Sequence, residues 1–319
     1  ETQHSMNPSR PFDELPDAPP KRKIKLSWAG KFGIAVLVFW AIIVVIGPSI
    51  SPYHEAEFLD ESLFIVPGSD EKYPDTDFQP PSRIVLLGSD YMGRDTLSRI
   101  LFGARTTIGI SFIATILAYL IGVTLGIAAA VGYRFEYRGF TIIELDTVLS
   151  RLNDALLSIP SIMLGLVMIA ALGSTIPLLI VLTGIIYAAS VFRIARSLGQ
   201  EVMVSDFVEA ARVRGEGLWW IITREILPNV AMPLATDFGL RFVWVILFIS
   251  ALSFLGLGVQ PPMSDWGSMV KENLPGLIYG SVAPLVPSLA IATLTISVNM
   301  IVDDISAQTG GKLAKRMIS

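Results

Sequence analysis

The sequence contains no cysteine, so disulfides, thiolate metal sites and a cysteine nucleophile are all excluded. Its two histidines, His4 and His54, lie outside every apolar run, which removes the commonest intramembrane proton relay and metal ligand. Charge is scarce as well: 16% of residues are charged and 52% hydrophobic, with a mean hydropathy of +0.60. An ordinary soluble domain carries about 25% charged residues. A chain of 319 residues with this make-up is therefore read as an integral membrane protein. Neither a Gly-rich loop of the kind that cradles nucleotide phosphates nor a serine elbow is present, so the chain is not itself read as an enzyme.

Apolar runs at about 32–47, 106–131, 155–173, 176–192, 230–258 and 282–302 each approach the ~20 residues a helix needs to cross the hydrocarbon. They predict an all-α integral membrane protein with six transmembrane helices. Pro160, Pro177 and Pro233 mark expected kinks or helix starts. Residues 1–26 hold five prolines among polar residues and cannot bury enough to fold alone, so they read as a disordered cytoplasmic tail. The chain opens on Glu1, with Met6 a candidate start. Lys21-Arg22-Lys23-Ile24-Lys25 then leads into a first span over 27–50, retained because no small-residue cleavage site follows Pro48.

Residues 51–105 are polar and locally acidic, with Glu55, Glu57, Asp60, Glu61, Asp70, Glu71, Asp75 and Asp77, and are long enough for a small extracytoplasmic subdomain. A five-helix core follows over 106–305, then a short cytoplasmic tail over 306–319. Basic residues set the orientation. With the amino terminus inside, the cytoplasmic side receives Arg134, Arg138, Arg193, Arg196, Arg212, Arg214, Arg224, Lys312, Lys315 and Arg316. The outside receives Lys72, Arg83, Arg94, Arg99, Arg105 and Lys271. Both termini are then cytoplasmic.

The core is organised around the polar island within 199–228. Ser205 or Asp206 can cap a short helix, and an Asp206 cap puts Glu209 where a carboxylate reaches back to the cap amide. Phe207, Val208 and Ala211 fall on one side, Arg212 and Arg214 suit the negative end of the helix dipole, and Gly215 ends the helix. Trp219 and Trp220 follow at a level expected of interface residues.

Glu209-Ala210-Ala211, three residues, Gly215, then Leu227-Pro228 resembles the "EAA" loop in membrane subunits of ATP-binding-cassette importers. The position two before Leu227 is Glu225, where the motif has an aliphatic residue. In that family the loop's short helix docks on an ATPase subunit, so the resemblance assigns ATPase coupling to Asp206, Glu209, Ala210, Ala211, Arg212, Gly215, Leu227 and Pro228. The stretches from Leu87 to Arg105 and from Gly256 to Gly267 are similar to the dipeptide, oligopeptide and nickel branch, specifically its C-type subunit. There, Arg94 and Asp95 are expected on a surface helix and Trp266 at the outer interface. Asp303-Asp304-Ile305-Ser306 stands where that branch often carries an Arg-containing pattern, which leaves the cargo open.

The resemblance implies a type I importer permease fold in the inner membrane. Its implied partners are a second homologous permease subunit, two ATPase subunits that carry ATP and magnesium, an extracytoplasmic substrate-binding protein and the lipid bilayer. No nucleic acid, metal or cofactor is expected on this chain. Peptide is the branch's commonest cargo, with nickel or another small solute the alternative. An ion-coupled secondary transporter would want deep ionisable groups and internal repeats; Asp237 and Arg241 meet the first requirement, and no repeat meets the second. Arg151 and Asp154 stand three apart at the start of the third span, and Asp237 and Arg241 four apart in the fifth. Each pair can close on one helical face, as a pathway contact or as a structural pair.

Overall fold

The computed structural model describes residues 26–60, 76–132 and 142–318, with side chains from 146 to 307 in the last stretch. Asp70, Glu71, Lys72, Asp75, Arg134, Arg138 and the basic run at 21–25 lie outside the described residues, as do the side chains of Lys312, Lys315 and Arg316. Apart from a single bridge between Ser89 and Asp95, regular structure in these residues is helical.

Helix α1 (Trp28–Ile50) starts at Ser27, whose hydroxyl accepts from the Gly30 amide. The polar segment that follows ends at α2 (Thr96–Gly132), which begins ten residues before the expected span. α3 (Ile142–Ser158) is amphipathic, and α4 (Ser161–Leu172) is apolar throughout. Pro160 separates them, and the two axes differ by 86°. The third span expected at 155–173 is thus a bent pair, broken at the Pro160 that the sequence marks as a kink or helix start. The twelve residues of α4 reach only about 18 Å, short of the ~30 Å hydrocarbon.

α5 (Ile176–Met203) starts at a Thr175 cap and continues eleven residues past its apolar run. The short α6 (Asp206–Val213) follows, then α7 (Leu218–Trp220). α7 passes through a π-helical turn at Ile221–Ile226 into α8 (Leu227–Phe254). Pro228 has no N–H to give to the preceding turn, and the ladder widens there. α9 (Trp266–Asn273) and a 3₁₀ turn (Leu274–Tyr279) precede α10 (Leu285–Ile318), which continues as helix through the stretch expected to be a tail. Among the described residues five helices are long and apolar enough to cross a membrane, or six if the bent α3–α4 pair is taken as one span.

α2 and α5 run parallel and share the most extensive contact. Gly122 lies against Ala188 and Val191, and a Cβ at Gly126 would stand 2.7 Å from the Phe192 carbonyl oxygen. Small residues here let the backbones approach, as in close membrane helix pairs. α8 runs antiparallel to α2, with Tyr119 at Asp237 and Phe112 at Phe242. α10 runs antiparallel to α1, from the Trp40–Thr293 bond to Asp304, whose carboxylate accepts from the Ser27 amide at 2.9 Å. The bundle therefore has an α6 end, with the start of α1, and an α9 end, with residues 51–60 and 76–95.

Candidate functional site

At the α6 end, Ser205 takes the cap position without a side-chain capping bond, its hydroxyl donating back to the Val202 carbonyl, and Asp206 is the first helical residue. Of the two candidate caps Ser205 is the one used, so the capping box that an Asp206 cap would give does not form: Glu209 instead receives a bond from Arg212 at 3.2 Å. Moving the cap one residue earlier leaves Glu209 one place too far along to reach back. The other end follows the expectation. Gly215 has φ +83°, its amide reaches the Arg212 carbonyl, and the Glu216 amide reaches that of Ala211. That is the pattern of a glycine-ended helix.

Val208 and Ala211 are buried against Ile221, Ile226 and Met203, which fixes α6 to the bundle. Phe207 is not on that inner side; it is exposed with Asp206, Glu209, Ala210 and Val213. Val204 and Trp219 add further apolar surface beside it. Trp220 is half-buried under Arg214, whose guanidinium carbon lies 5.9 Å from its ring centre. Leu227 is half-buried and Pro228 exposed at the start of α8. The outcome is a short helix held by two inward side chains and showing an acidic and apolar face to solvent.

In the middle of the bundle, Arg241 and Asp237 close on one face of α8 at 3.4 Å. Tyr119 of α2 donates its hydroxyl to the same carboxylate at 2.5 Å. Arg151 and Asp154 do not close: both are exposed on α3, before the bend. The ion pair on that helix belongs to Asp146, which takes Arg196 of α5 at 2.5 and 2.7 Å.

The α9 end holds a buried cluster that includes Arg94 and Asp95, which the sequence reading placed on a surface helix. Asp90, Arg94, Asp95 and Arg99 are all buried. Arg99 donates to Asp90 at 2.5 Å, to Glu272 at 3.0 Å and to Ser264 at 3.3 Å, while Arg94 reaches Asp90 at 2.8 Å and Glu272 at 3.4 Å. Asp90 also accepts from the Met92 and Arg94 amides, and Asn273 takes the Tyr91 amide at 3.0 Å. The cluster ties residues 90–99 to α9. Trp266 is fully buried there, not at an interface: its indole N–H donates to the Ile100 carbonyl, and its ring packs 4.8 Å from that of Trp40.

Asp265 caps α9, accepting from the Ser268 amide at 3.0 Å and from Thr107 at 2.8 Å. Burial pushes its carboxyl above the usual range, opposed by donors from Ser268, Ser253, Thr107 and Gly267. Among the described residues, no group of three or more His, Asp or Glu side chains is placed to hold a metal ion.

Residues 122–307 match the family of binding-protein-dependent transport system inner membrane components. The chain belongs to that family. The match runs from the α2–α5 seam through α6 and the central ion pair to α10, so the permease core is the shared part. Among similar proteins, a peptide transport system permease protein of Brucella suis biovar 1 is 36% identical over 226 residues, 71% of this chain and 73% of that one. The glutathione transport system permease protein GsiD of Pectobacterium atrosepticum is 32% identical over 78% of this chain and 81% of its own length. The dipeptide transport system permease protein DppC of Alkalihalophilus pseudofirmus is 33% identical over 73% of this chain and 74% of its own. The expectation of an importer permease of the ATP-binding-cassette type is borne out, and this is a multi-pass inner membrane protein.

Within this permease Glu209 to Val213 lie on one short helix that Gly215 ends, and Leu227-Pro228 opens the helix that carries Asp237 and Arg241. The Arg94–Arg99–Glu272 cluster escaped the sequence reading. Its local signal was the density of Asp90, Arg94, Asp95 and Arg99 in ten residues; its partner Glu272 lies 173 residues beyond Arg99.

Proposed function

We propose that this permease forms, with a second and related permease subunit, the passage by which peptides enter the cell. Two ATPase subunits drive it through α6, and an extracytoplasmic binding protein delivers the cargo. Counting α3 and α4 as one bent pass, the chain crosses six times with both termini inside. Arg193, Arg196, Arg212, Arg214 and Arg224 at the α6 end support a cytoplasmic location for it. The relatives' names support peptide as cargo, glutathione being itself a tripeptide.

The observation that carries the coupling role is the form of α6. Val208 and Ala211 anchor it, so a push on its outward face moves α5 and α8 together. That face offers Phe207, Val213, Val204 and Trp219 around Asp206 and Glu209, an apolar patch rimmed by charge of the kind that marks protein contacts. ATP is hydrolysed on the partner chains, and closure there rocks the helices between two arrangements.

Glu209→Lys and Gly215→Val test this in the reconstituted importer. The Glu209 side chain is 60% exposed, so within this chain its substitution should shift stability by no more than about 0.5 kcal/mol. At a docking face the same reversal should uncouple, because misplaced charge at an interface costs several kcal/mol. Val at the +83° φ of Gly215 resists the left-handed conformation by about 1–2 kcal/mol and should redirect the helix. Both variants should insert and keep the second permease subunit, yet lose substrate-stimulated ATP hydrolysis and uptake. Coupled hydrolysis at the normal rate in both, at equal expression, would remove the coupling role from α6.

A further inference from the structure

The Asp237–Arg241 pair is the ion pair set furthest from either end of the bundle among the described residues. It lies near the middle of the continuous helical stretch Leu218–Phe254. Its side chains are not sealed by this chain: Arg241 is 22% exposed and Asp237 12%. An open charge at that depth is costly against hydrocarbon, and such groups face a bundle interior or a watered cavity. The α8 surface beside it is open as well, with Leu240, Trp244 and Leu247 exposed in the helical rhythm i, i+4, i+7.

The two partners are not used equally. Asp237 is engaged twice, by the Tyr119 hydroxyl and by Arg241 Nε. Arg241 spends that single N–H, at a long 3.4 Å, and its two Nη groups have no hydrogen-bond partner among the described residues. A guanidinium presents five donors in a planar fork that fits a carboxylate with two parallel bonds. Here one edge of the fork is braced and the terminal nitrogens are free. Tyr187 donates to the Trp244 carbonyl three residues further on, which fixes the neighbouring turn of α8 against α5.

We infer that Arg241 is a specificity-determining residue of the passage, receiving the carboxylate of a passing peptide on its free Nη groups. Asp237 and Tyr119 hold it in position. The Asp237 charge also weakens the grip: a bare arginine at this depth would retain an anion, whereas a half-neutralised one lets it leave, as a conducting site requires. This rests on the peptide-importer reading above and adds to it the chemical group that is recognised and the residue that does it.

The test uses the complete importer in liposomes, with radiolabelled tri-alanine as probe. Arg241→Gln should lower the maximal uptake rate at least about tenfold, the worth of one charge-assisted contact to a carboxylate, in an importer that still assembles. Arg241→Lys, which keeps a cation but not the fork, should recover part of the rate. The neutral double variant Asp237→Asn with Arg241→Gln should stay as slow as Arg241→Gln. Wild-type uptake by that double variant would reduce the pair to a structural brace, and loss of assembly in Arg241→Gln would do the same. Normal uptake by Arg241→Gln would equally overturn the assignment. These three outcomes leave the peptide reading standing, whereas failure of the wild-type importer to take up tri-alanine overturns both.

Discussion

Removing Arg99 probes how the α9 end is held together. The residue is 1% exposed, and its guanidinium serves Asp90, Glu272 and Ser264 at 2.5, 3.0 and 3.3 Å. Arg99→Met keeps an unbranched apolar stem and removes the charge. Breaking a buried pair from one side costs about 3–5 kcal/mol, because the charge left behind is uncompensated. Two features pull the cost to the low end of that range. Arg94 still holds Asp90 at 2.8 Å, and Glu272, at 16% exposure, can take water in exchange. The expected loss is therefore about 3 kcal/mol, roughly a hundredfold in the folding equilibrium.

Denaturant titration in detergent, followed by tryptophan emission, reads this loss, since Trp266 is fully buried in the adjoining helix. Adding Glu272→Gln to Arg99→Met should recover part of it by removing the stranded charge. Arg99→Lys should fall between the two, keeping the charge but not the three-way fork. A loss under about 1 kcal/mol, with no recovery in the double variant, would mean that the cluster is solvated in the working protein. The buried-pair reasoning would then be wrong.

Asp265 has a folded-state pKa above its ordinary value of 3.8, so the folded protein binds that proton more tightly than the unfolded chain does. Its contribution to stability is then lost as pH rises from the ordinary value through the folded one; Asp265→Asn should flatten that limb in pH-dependent unfolding, and a slope that survives would assign it to another group. Asp265→Ala should be about 1 kcal/mol less stable than Asp265→Asn in the same titration, because only the amide retains the cap on Ser268. The chain has no cysteine, so single substitutions report topology cleanly: Gln260→Cys should react with an impermeant maleimide from outside, and Glu216→Cys only after permeabilisation. Outside labelling at position 216 would invert the orientation and detach α6 from any cytoplasmic partner.

The membrane character, the approximate spans and the α6 stretch could be read from residues alone, because each depends on neighbours in sequence. Apolar runs announce burial in lipid, Gly215 supplies the left-handed turn its position needs, and Asp237 and Arg241 meet because one helical turn separates them. Even there the sequence left the cap open between Ser205 and Asp206, since either residue can start a helix, and packing of Val208 and Ala211 chose the register with Ser205 as cap. The tertiary structure decided what depends on distant partners. Arg94 looks like a surface residue until Glu272 of α9 meets it together with Arg99. Trp266 looks like an interface anchor until it meets Trp40, more than two hundred residues earlier in the chain. Arg151 and Asp154 have the spacing of a pair, yet both stay exposed on α3, and it is Asp146, one turn earlier, that meets Arg196 of α5. A hydropathy pattern states that a segment is buried; only the neighbour that buries it determines whether a charge on that segment is paired, braced or left with donors to spare.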